Sequence, residues 1–132
     1  MGGAFVSMLE NFTPFNFNEG VPYVSVTSNG VTFNKAVVMK LNYPEHVVLL
    51  IDESTQRIAL QMCEENTPNA VAFYKEKKSK VISVRWNGRD LLNTIQGMMG
   101  WDLGKKAFRV DGTLIKDEHA MIFDLKAAVE LN

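Results

Sequence analysis

Two seven-residue stretches, VSVTSNG at 24–30 and ISVRWNG at 82–88, lie 58 positions apart and each opens a similar pattern. Laid over each other without gaps, 24–43 and 82–101 share Ser25/Ser83, Val26/Val84, Asn29/Asn87 and Gly30/Gly88. Apolar residues then recur every four positions: Phe33, Val37 and Leu41 in the first, Leu91, Ile95 and Met99 in the second. Such a stripe marks one face of a helix. Asn42 and Gly100 follow the stripes at equivalent places, where a helix often ends in the left-handed conformation. An aromatic residue, Tyr43 or Trp101, comes next in each copy. The chain reads as one plan used twice.

The rest of each copy extends the plan. In the first, Tyr23 to Val26 reads as a strand and Ser28-Asn29-Gly30 as a turn, with Asn34 or Thr32 capping the helix. VVLLI at 47–51 is a continuous apolar run, expected to be covered on both faces. Asp52 to Gln56 turns the chain, and Ile58, Leu60 and Met62 alternate as in a half-buried strand. In the second, Val81 to Val84 is the strand, Asn87-Gly88 the turn and Asp90 the expected cap. Ala107 to Val110 and Ala120 to Leu125 read as strands, with a sharp turn at Asp111-Gly112 and a polar tip at Lys116 to His119. A short helix from Leu125 or Lys126 is expected to close the chain.

One strand–helix–strand–strand unit cannot bury its own apolar faces, whereas two in one chain can cover each other. The expected fold is therefore α+β: a duplicated unit forming a single-chain, pseudo-twofold small barrel. The repeats span about 23–63 and 81–125, joined by a connector at 64–80 with an extended piece at Ala70 to Tyr74. Together they make one domain, 22–132, behind an N-terminal arm at 1–21 that carries Phe12, Phe15 and Phe17. Within the arm, Ala4 to Phe12 reads as a short helix stopped by Pro14.

Composition narrows the function classes. At 132 residues, 46% hydrophobic and 22% charged, the chain is of ordinary single-domain size and make-up. Cys63 is the sole cysteine, so an internal disulfide or a cysteine-rich zinc site is excluded and a reducing cytoplasm is expected. No basic residue precedes Lys35, unlike the start of a secretory signal, and the longest apolar run is too short to cross a bilayer. The net charge of −1 conceals a polarity. From Lys75 to Arg109 there are nine basic and three acidic residues; elsewhere there are five basic and twelve acidic. A local positive field can arise within a near-neutral total.

The segment VTFNKAVVMKLNYPEHVVLLIDESTQRIAL resembles the swapped-hairpin barrel of AbrB and SpoVT-like transcription regulators. There, a strand runs into a short helix, then a strand, an acidic turn and a final strand. Two copies within one chain are similar to the layout of the MraZ family. The resemblance implies DNA binding through basic residues on one side of the barrel, often by an oligomer.

On this reading, double-stranded DNA would be held by Lys75, Lys77, Lys78, Lys80, Arg85, Trp86 and Arg89. Lysines supply affinity that depends on salt and not on sequence, whereas arginine can read guanine with two hydrogen bonds. Trp86 beside Arg85 suits stacking on a base or on the guanidinium, and equally suits a capping role over the core. The competing reading is a protein-interaction module whose aromatic arm carries the partner surface or a homo-oligomer contact. Catalysis is not expected, because no nucleophile–base constellation and no phosphate-cradling glycine loop is present. His46 and His119 sit at different repeat positions, and Asp52 and Asp111 would be equivalent under the duplication. No cofactor and no membrane partner is expected.

Overall fold

Apolar and polar residues alternate from Tyr23 through Phe33, and this stretch folds as a hairpin. In the computed structural model, which describes residues 8–12, 14, 20–76 and 81–131, β1 (Tyr23–Thr27) and β2 (Gly30–Phe33) pair antiparallel around Ser28 and Asn29. The Thr27 hydroxyl accepts from the Asn29 N–H at 3.0 Å. Gly30 is required at its place. Its φ is +142°, and a Cβ there would lie 2.5 Å from the Trp86 carbonyl oxygen.

After β2 the chain turns into α1 (Lys35–Lys40). The Asn34 side chain caps it, accepting from the Val37 N–H at 3.2 Å, and Asn42 ends it with φ +61°. β3 (His46–Asp52) and β4 (Arg57–Cys63) form a second hairpin, followed by the two-residue strand β5 (Val71–Ala72). β6 (Val84–Trp86) leads into α2 (Arg89–Met99), which Gly100 closes at φ +69°. β7 (Ala107–Ile115), β8 (Ala120–Asp124) and β9 (Val129–Leu131) complete the chain, with 3-10 turns at Lys116–Glu118 and Leu125–Ala127.

All the strands pair antiparallel in one curled sheet of order β5-β3-β4-β8-β7-β1-β2-β6, with β9 also on β7. β7 is the pivot. Its residues 108–111 pair with β1, and its residues 112–115 pair with β8. At Gly112 the strand passes from one half of the sheet to the other against Met121 and Phe123, leaving no room for a side chain. Val24, Val26, Val31, Phe33, Leu60, Met121 and Phe123 fill the concave side with no exposed surface, together with Val37 and Val38 of α1 and Ile95 of α2.

This architecture overturns the expected duplication. Among the described residues there are nine strands and two α-helices, in a curled, mostly antiparallel half-barrel, and no unit of strand–helix–strand–strand is repeated. The two Asn-Gly steps do different work. Asn29-Gly30 closes the β1–β2 hairpin, while Asn87-Gly88 carries β6 directly into α2, with Gly88 as the cap residue. Phe33 lies in β2 and not on the first helix, which has six residues against eleven in the second. The pseudo-twofold barrel is lost with the equivalence of its halves.

Smaller corrections follow from the sheet order. VVLLI is not covered on both faces: Leu50 is 45% and Ile51 39% exposed, because β3 lies next to the edge. Asp111-Gly112 is not a turn but the middle of β7. A 3-10 turn and a strand replace the expected terminal helix. Asp90 sits in the first turn of α2, where its charge suits the helix dipole, and makes no cap hydrogen bond. Of the arm, residues 8–11 form a turn with Phe12 exposed beyond it. Phe15 and Phe17, and residues 4–7 of the expected helix, lie outside the described residues. No helix among the described residues is long and apolar enough to cross a membrane.

Candidate nucleic-acid interface

The strands β6, β2, β1 and β7 point Val84, Phe33, Val24, Val26 and Val110 inward. The period of two therefore points Arg85, Thr32, Ser25 and Arg109 outward. Register makes these four into one row, since Arg85 is opposite Thr32, Thr32 opposite Ser25, and Ser25 opposite Arg109. Two guanidinium groups thus flank two hydroxyls on the convex face. Three strand spacings separate the arginines, about 14 Å.

Each arginine is held differently. Arg85 Nε donates to the Thr32 hydroxyl at 3.1 Å, and no carboxylate among the described residues pairs with its exposed guanidinium. Arg109 stacks over the Tyr23 ring, 3.9 Å from its centroid, and donates from Nε to Asp111 Oδ1 at 3.3 Å. Tyr23 and Asp111 are themselves opposite each other in the ladder. Arg109 is the more fixed of the two, and Arg85 the more available to a ligand.

The residues expected at a DNA surface are spread around this row. Trp86 is half-buried, with its ring edge-on to Phe33 at 5.1 Å and to Phe73 at 5.8 Å. Its indole N–H donates to the Ala72 carbonyl at 3.3 Å, which ties β6 to β5. Arg89 is exposed at the first position of α2. Lys75 is exposed beyond β5, beside a shallow pocket lined by Tyr43, Glu45, Tyr74 and Glu76. Lys77, Lys78 and Lys80 lie outside the described residues. Arg109, Ser25 and Thr32 were not singled out from the sequence. Outward placement was readable from the strand period, but their meeting in one row depends on β1 pairing with β7.

A second polar cluster lies at the opposite end of the sheet. Asp52 Oδ1 accepts from the Ser54 hydroxyl at 2.7 Å and the Thr55 N–H at 3.3 Å, and Asp52 Oδ2 is 3.6 Å from Arg57. The Thr55 hydroxyl first, then that of Ser54, hold the Asp52 pKa down to about 2. Lys126 Nζ donates to Asp124 Oδ1 at 2.9 Å, lowering that carboxyl too, and to the Thr55 carbonyl. These bonds lock the β3–β4 turn to the turn after β8. Asp52 and Asp111 form no pair with each other, since each is bonded to its own arginine on a different half of the sheet. Among the described residues no group of His, Cys, Asp and Glu is placed to hold a metal ion.

Compared with family models, curated proteins and solved structures, the chain has no match.

Proposed function

We propose that the protein binds double-stranded DNA non-covalently through the convex face of β6-β2-β1-β7, in a regulatory role of the kind that AbrB and SpoVT-like proteins fill. The observation that supports it is the row Arg85–Thr32–Ser25–Arg109, with Arg89 and Lys75 exposed on the neighbouring elements. Guanidinium groups can pair with phosphate or with guanine edges, and hydroxyls add phosphate contacts. Antiparallel strands are one of the element types that enter a DNA groove. The reading places the protein in the cytoplasm, which suits its lone Cys63.

A fluorescence anisotropy titration against duplex DNA at two salt concentrations tests it. Binding should weaken as salt rises, and replacing Arg85 or Arg109 by alanine should reduce the salt slope by about one contact each. Absence of binding at low salt, or binding indifferent to alanine at Arg85, Arg89 and Arg109, would sink the reading.

A second reading is supported by a separate observation. Met8, Leu9 and Phe12 are 95%, 65% and 71% exposed, an apolar cluster suited to a protein partner. Truncation of residues 1–21 should then abolish partner capture while leaving DNA binding intact.

A further inference from the structure

β3 carries an open edge. β5 covers it only at His46 and Val47, because the chain turns away at Thr67–Ala70, where Asn69 is left-handed at φ +65°. Beyond Val47, no strand among the described residues pairs with the outer side of β3. Natural sheets guard such edges with lysine, proline or a bulge. Here the uncovered sequence is Val48-Leu49-Leu50-Ile51-Asp52, and Leu50 and Ile51 are substantially exposed.

The hydrogen-bonding direction along this edge follows from two observations. The Phe73 N–H donates to the Glu45 carbonyl at 2.8 Å, so residue 45 faces β5. On β4, the Met62 N–H donates to the His119 carbonyl at 2.9 Å, so the even positions of β4 face β8 and its odd positions face β3. The register then turns His46, Val48, Leu50 and Asp52 toward β4. Both routes agree that Leu49 and Ile51 aim their N–H and C=O groups at the open side.

We infer that this edge pairs antiparallel with the same edge of a second copy of the chain, centred on Leu50. In that register Leu49 lies opposite the partner's Ile51, and Ile51 opposite the partner's Leu49. Each of these two pairs exchanges two backbone bonds, which satisfies every outward group of both residues. The two Leu50 side chains meet across the twofold axis as a close, non-hydrogen-bonded pair. The charge pattern fits this register and no longer one. Asp52 comes to lie opposite the partner's Val48, whereas a slip of two residues each way that centres the pair on Asp52 would set two carboxylates face to face. The net charge of −1 per chain opposes association little. The seam lies on the β3 side of the sheet, apart from the row of Arg85 and Arg109, so dimerisation and DNA binding are separable properties.

Sedimentation velocity of the full chain over a range of concentrations, with Leu50→Lys, Leu50→Glu and their equimolar mixture, tests the pairing. The wild type should show a monomer–dimer equilibrium. Each variant alone should be monomeric, because like charges then meet on the axis, and the mixture should regain a dimer holding one of each, seen by native mass spectrometry. Ile51→Pro, which removes one outward N–H and none of the bonds to β4, should also give monomers. A wild type that is monomeric throughout, variants that dimerise as well as the wild type, or a mixture that stays monomeric would each overturn the inference.

Discussion

The indole nitrogen of Trp86 donates to the carbonyl oxygen of Ala72 at 3.3 Å and so joins the two ends of the strand path, β6 and β5. The same ring packs edge-on against Phe33 and Phe73, which lie deep in the core. Replacing Trp86 by phenylalanine keeps most of the packing and deletes the bond, an expected loss of about 1 kcal/mol. Alanine removes both and opens the aromatic cluster, for about 3 kcal/mol. Urea unfolding monitored by circular dichroism separates the two.

Asn34 serves three backbone groups at once. Its Oδ1 accepts from the Tyr23 and Val37 N–H groups, and its Nδ2 donates to the Val21 carbonyl at 2.8 Å. It therefore fastens the start of β1 to the start of α1. Asn34→Ala should cost about 1–2 kcal/mol, and Asn34→Asp, which keeps the acceptor, distinctly less. Thermal melts of the two variants give the comparison.

Two glycines should respond to alanine with opposite signs. At Gly112 a Cβ would stand 2.6 Å from the Met121 sulfur and 2.8 Å from Phe123 Cε1, inside the packed core. Gly112→Ala should therefore destabilise by about 1–3 kcal/mol. At Gly97, on the exposed side of α2, a Cβ meets nothing within 4 Å. Gly97→Ala should stabilise by about 0.5–1 kcal/mol through helix propensity. Denaturation midpoints of both variants decide the signs.

The hydroxyls of Thr55 and Ser54 depress the Asp52 pKa from 3.8 to about 2. A carboxylate with a lowered folded-state pKa stabilises the fold above its unfolded value, and that stabilisation fades as pH falls from about 4 towards 2. Wild type should thus melt higher than Asp52→Asn at pH 7, with the gap narrowing towards pH 2. Added salt should also narrow it, since Asp52 is exposed. Melting curves against pH and salt read both effects.

Local chemistry was legible in the sequence. The Asn34 cap, the left-handed Asn42 and Gly100, the Ser28-Asn29 turn and the alternation of β4 all depend on residues close in the chain. The failure came from giving one meaning to a repeated motif. Gly30 is followed by Val31 and Thr32, whose branched Cβ atoms favour a strand, whereas Gly88 is followed by Arg89, Asp90, Leu91 and Leu92, which suit a helix. That difference was present in the letters but was outweighed by the four-residue spacing of Phe33, Val37 and Leu41. The row that includes Arg109 was beyond reach for another reason: β1 and β7 are far apart in sequence, and nothing local announces their partnership.

The position of β7 between β1 and β8 also sets the order in which the chain can assemble during synthesis. The hairpins β1–β2 and β3–β4 are complete early, yet neither can be joined to the other until β7 and β8 have left the ribosome. Translation at about 5–20 residues per second makes that wait several seconds, far longer than a hairpin takes to form. Through that interval the β1 side of one hairpin and the β4 side of the other remain bare strand edges. A nascent chain stalled before Ala107 should therefore recruit holding chaperones, and one released after Asp124 should not.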